Sequence, residues 1–128
     1  MKQWVPFAEG EYVVERALLV APDGRAVAVA DAFIEVYTDP RGERSIRGSG
    51  NIRNILLVEL MDDHDEIDLL LDLGREFKYL LKNPELKAGK VFSPDVTAAF
   101  QFSPRSPWQH LAEADFEGLW SGARFLDL

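Results

Sequence analysis

At 128 residues the chain has the length of one domain, and its lack of cysteine excludes disulfide frameworks, thiolate zinc sites, iron–sulfur clusters and cysteine nucleophiles. A net charge of −8 and a pI near 4.7 set it against phosphate backbones and anionic lipid surfaces, so neither nucleic acid nor a membrane is an expected partner. Apolar residues at 47% against 28% charged describe a chain with a packed core rather than a disordered one, and no cofactor motif is present.

Met1 to Phe7 lacks the apolar run of a signal peptide, and nowhere do 18 apolar residues follow one another. A cytoplasmic single domain over 1–128 is therefore the expectation. Tyr12 to Val20 reads as a strand, and Pro22-Asp23-Gly24 as the hairpin turn that ends it, because proline presets one turn angle and glycine accepts positive φ. Ala26 to Tyr37 alternates Ala26, Ala28, Ala30 and Ala32 with Val27, Val29, Phe33 and Tyr37, the period-two signature of a strand. Its alanine face invites a closely packed helix.

Asp39-Pro40-Arg41-Gly42 repeats the turn chemistry, and Gly48-Ser49-Gly50-Asn51 predicts a further break before the apolar run Ile52 to Met61. Asp65 to Lys82 fits two periods. As a helix it gathers Ile67, Leu69, Leu70, Leu71, Leu73, Phe77, Leu80 and Leu81 on one arc. As a hairpin turning at Gly74 it alternates, with Leu70 and Leu80 as exceptions. Acids at its start, Lys78 and Lys82 near its end, and Asn83-Pro84 beyond favour the helix. A turn at Leu86 to Gly89, a strand over Val91 to Phe102 and a short C-terminal helix capped at Ser106, carrying Trp108, Leu111, Ala112 and Leu119 and fraying near Gly118, complete the reading.

The pattern predicts an α+β fold: an antiparallel meander of about five strands with one long amphipathic helix on a face and a short C-terminal helix alongside, an all-β sandwich or barrel being the alternative.

Three groups of residues could carry function. Asp62, Asp63, His64 and Asp65 offer hard oxygen donors and one imidazole for a divalent metal, although helix capping by the same acids is the simpler account. Arg41, Arg44, Arg47 and Arg53 lie among glycine turns whose amides could cradle a phosphate, although no P-loop or dinucleotide pattern accompanies them. His110 reads as a boundary residue rather than a catalytic base. The tryptophans Trp4, Trp108 and Trp120 fall near the ends with Phe7 and Phe125, so the ends must dock on the chain's own sheet or on another subunit. The functional expectation is a non-enzymatic interaction or structural module, a homo-oligomer or a binder of another protein. The alternatives are a small metal-assisted enzyme or metal-binding regulator, and a binder of small phosphorylated ligands.

Overall fold

Three tight turns set the strand order. At the first, the Ala21 and Gly24 amides donate to the Arg25 and Ala21 carbonyls at 2.8 and 3.0 Å, and Gly24 sits at φ +92°. At the second, Asp39 Oδ1 accepts from the amides of Arg41 and Glu43, and Gly42 holds φ +82°. At the third, Asp72 Oδ1 accepts from the Gly74 amide, and Gly74 and Arg75 lie at φ +98° and +51°. Each pairs an Asx side chain with a glycine that takes the left-handed conformation, the chemistry such turns require.

The computed structural model describes residues 8–53, 66–88, 97–106 and 109–125. Among these residues the strands are β1 (Gly10–Val13), β2 (Arg16–Val20), β3 (Arg25–Thr38), β4 (Arg44–Arg53), β5 (Asp68–Asp72), β6 (Lys78–Leu81), β7 (Glu85–Ala88), β8 (Thr97–Ser103), β9 (Gln109–His110) and β10 (Arg124–Phe125), and the one helix among them is α1 (Glu113–Gly122). They form one sheet in the order β7-β8-β4-β3-β2-β5-β6-β9, with β1 and β10 both added to β3. Among the described residues all pairings are antiparallel except that of β10 with the start of β3.

The sheet curls around the larger of two core clusters because β3 belongs to both of its wings. Its first half pairs with β2, and its second half pairs with β1 and with most of β4. Between them the register slips across Ala30 to Phe33, where Asp31 takes φ +52°. A bulge of this kind bends a strand and steepens its twist. Ile34, Val36, Ile46, Ile52, Phe100 and Phe102 from the β4 wing thereby face Leu19, Val27, Leu69, Leu71 and Leu81 from the β2 wing in one cluster. The other face of the β2 wing is covered too: Leu18, Ala26 and Leu70 pack with Phe116 of α1, bordered by Leu80 and Trp120.

This architecture corrects the expected α+β fold. The segment Asp65 to Lys82 is no helix; over its described part it is the β5–β6 hairpin, with Leu70 opposite Leu80 and β5 also paired to β2. Leu70 and Leu80, which break the alternation, are the residues that turn outward to meet α1. A strand buried on both faces has no polar side, so its leucines imitate a helical arc.

Smaller corrections follow the same logic. Gly48 to Asn51 does not interrupt β4, since Gly48 and Gly50 are inward positions of a continuous strand. Glu85 to Ala88 is strand β7 rather than a turn. The helix begins at Glu113 instead of near Ser106 and runs through Gly118 to Gly122, while Gln109-His110 pairs with β6. Of the runs Ile52 to Met61 and Val91 to Phe102, residues 54–61 and 91–96 lie outside the described residues.

Candidate functional site

Two polar constellations emerge, one beneath the helix and one on the free face of the sheet. The first is ionic. Asp72 and Lys78, each 3% exposed, lie opposite each other on β5 and β6 with Nζ 3.5 Å from Oδ1. Arg16 donates from Nε to Asp72 Oδ2 at 2.8 Å and from Nη2 to Glu117 Oε1 at 2.5 Å. Its guanidinium lies 5.1 and 5.0 Å from the rings of Phe116 and Trp120. Lys78 Nζ also donates to the Arg75 carbonyl.

Burial pushes the Asp72 carboxyl up, but the Gly74 amide, the Arg16 hydrogen bond and the charges of Lys78 and Arg16 outweigh it, so the group ionises below its ordinary range. The Glu117 bond, partly opposed by burial, holds the Arg16 pKa up. No buried side-chain nitrogen or oxygen among the described residues lacks a partner. The cluster is complete within itself: it fastens α1 to the sheet.

The second constellation is the outer face of the β4 wing, which no other element covers among the described residues. Cross-strand pairing lines up Val13, Phe33, Ser49, Gln101 and Lys87 in one row, with Glu11, Glu35 and Arg47 in the next. Phe33 is 41% exposed and Val13 78%. Arg47 donates from Nε to Glu35 Oε1 at 2.5 Å, and its guanidinium carbon stands 4.5 Å from the centre of the Tyr37 ring. A shallow depression of about 480 Å³ runs across this surface from Glu11 to Lys87.

Sequence reading missed this face because it placed Phe33 and Tyr37 on the same side as Val27 and Val29. The bulge at Asp31 shifts the phase, so Val27 points into the core while Phe33 and Tyr37 point out. Glu35, sharing the parity of Phe33 and Tyr37 between inward Ile34 and Val36, is the signal that could have shown it.

The arginine group is divided. Arg47 lies on the outer face, whereas Arg44, three residues earlier on the strand, takes the opposite parity. Arg44 shares a depression of about 220 Å³ with Arg41, Arg105, Asp39 and Glu43. Arg53 ends β4, and its side chain lies outside the described part.

Asp62, Asp63, His64 and Asp65 lie outside the described residues, as do Trp4, Phe7 and Trp108. Among the described residues no three metal-ligating side chains gather. His110 donates from Nε2 to the Glu76 carbonyl at 2.7 Å and meets the Tyr79 ring edge-on at 5.5 Å. Trp120 stacks on Phe116 at 6.0 Å and leans on Phe125 at 5.7 Å, while β10 pairs with β3, so this terminal segment docks on the chain's own sheet. No described helix is long and apolar enough to cross a membrane. Comparison with protein-family models, with curated proteins and with solved structures returned no match.

Proposed function

We propose that the chain is a non-enzymatic interaction module that self-associates through apolar surface at its C-terminal segment. The observation behind this reading is that Leu119 and Phe125 each remain 46% exposed on a segment that is otherwise firmly placed. Trp120 is held by Phe116 and Phe125, Arg124 donates to the Asp23 carbonyl at 2.7 Å, and β10 adds to β3. Apolar side chains presented on an ordered base bind with little further loss of conformational freedom, which favours association.

Light scattering and sedimentation between about 1 and 100 µM test the proposal. The expected outcome is a mass that rises above the monomer, and a Leu119→Ser/Phe125→Ser variant that stays monomeric throughout. A monomeric wild type across that range removes the proposal.

A further inference from the structure

We propose that the outer face of the β4 wing is a binding site for a neutral oligosaccharide. The site is separate from the surface at Leu119 and Phe125, which belongs to the other wing, and it stands whether or not the chain self-associates.

The backbone comes first. Inside the face, β3, β4 and β8 have both neighbours in place, so their amides and carbonyls are spent on the ladder and recognition falls to side chains. The strands at its rims are four residues each, which leaves little edge for an added peptide strand. The face offers two kinds of side chain. Phe33 is a ring that keeps 41% of its surface exposed, and Tyr37, four residues further along β3 on the same face, carries the Arg47 guanidinium on its ring. Around them stand polar groups that can donate or accept at fixed angles: Gln101, Ser49 and the guanidinium of Arg47.

Arg47 is already oriented. Its Nε is engaged by Glu35, the Tyr37 ring lies beneath it, and the side chain is still 60% exposed. A planar donor held in this way binds vicinal hydroxyls without first losing its own freedom.

Charge narrows the choice. Glu11, Glu35 and Glu85 against Arg47 and Lys87 leave the lining one negative charge in excess, on a chain of net charge −8. An anionic ligand is repelled, and the one well-placed cation is already neutralised by Glu35. The depression, at about 480 Å³, lies within the 300–1,000 Å³ typical of small-molecule sites, yet it is open rather than enclosed. It fits a ligand that carries an apolar C–H face for the Phe33 ring and hydroxyl edges for the polar rim, and that extends along a surface. A pyranose chain has this chemistry.

The test uses the whole ¹⁵N-labelled chain, titrated separately with the hexasaccharides of β-1,4-glucan, β-1,4-xylan and α-1,4-glucan. Galacturonic acid tetramer and a proline-rich peptide serve as competing classes. The expected result is that at least one neutral saccharide saturably shifts the amides of residues 33–37, 45–49 and 99–103. Phe33→Ala and Gln101→Ala should each weaken that binding by about tenfold without altering the melting temperature, and Leu119→Ser should leave it unchanged.

The inference is overturned if no neutral saccharide shifts these amides, or if the shifts survive both substitutions at unchanged affinity. It is equally overturned if the uronic acid or the peptide occupies the face at lower concentration than every neutral saccharide.

Discussion

Gly48 faces inward where β4 passes between β3 and β8, and a methyl group there would stand 2.3 Å from the Phe102 ring and 2.6 Å from the Phe33 carbonyl oxygen. The ring is buried and the oxygen belongs to the sheet, so neither yields cheaply. Gly48→Ala should therefore destabilise the fold by about 1–3 kcal/mol in urea unfolding. A cost near zero would mean that the strands are not this close. Asp72 makes a second residue-scale prediction. Removing its carboxylate strands Lys78 inside the protein, and Asp72→Ala should cost about 3–5 kcal/mol. Because the folded carboxyl ionises below its ordinary value of 3.8, its contribution is present above that pH and is lost as pH falls through the folded value. The stability gap between wild type and Asp72→Asn should accordingly be widest near pH 7 and should narrow below about pH 4, as read by urea denaturation at a series of pH values. A constant gap would contradict the assignment.

At the scale of the element, α1 is weakly self-sufficient. Its N-cap, Ala112, has the extended backbone of a capping residue, φ −65° and ψ 151°, but no side chain able to accept from the first turn, and only Phe116 of its side chains is fully buried. Ala112→Ser supplies the missing acceptor and should stabilise the fold by about 1 kcal/mol in urea unfolding. Phe116→Ala should cost about 3–5 kcal/mol by the same measurement, since the ring closes the second core against Leu18 and Leu70. The elements also show what the sequence made legible. The Pro22-Asp23-Gly24 and Asp39 to Gly42 turns and the β3 strand were readable because turn chemistry and two-residue alternation are local properties. The β5–β6 hairpin was not, because Leu69 to Leu71 is apolar on both faces for reasons that lie elsewhere in the chain: β2 beside it, the core below it and α1 above it. Acids before and bases after the leucines then tipped a two-way reading toward the wrong period. The outer face escaped for a related reason, since one bulge residue with φ +52° reassigns every side chain after it. Of the residues suspected from sequence, Arg47 proved to lie on that face, but as a guanidinium oriented by Glu35 and Tyr37, an arrangement that needs three residues brought together by strand pairing.

For the molecule as a whole, one core cluster drawing on both wings implies one cooperative transition. Far-ultraviolet dichroism and tryptophan fluorescence should report coincident unfolding curves, and separate midpoints would show that the wings melt independently. The shared strand β3 carries a further consequence, for kinetics and for dissection. The wings interleave along the chain: β1 and β4 belong to one, β2 and β5 to the other, and the first returns with β7 and β8 before the second resumes at β9. Neither can be assembled from a continuous stretch of polypeptide. Folding must close long loops before stabilising pairings accumulate, which places the refolding time on the millisecond-to-second scale of all-β proteins. For the same reason a break in β3 leaves no autonomous half: each fragment would lack strands that its own wing requires.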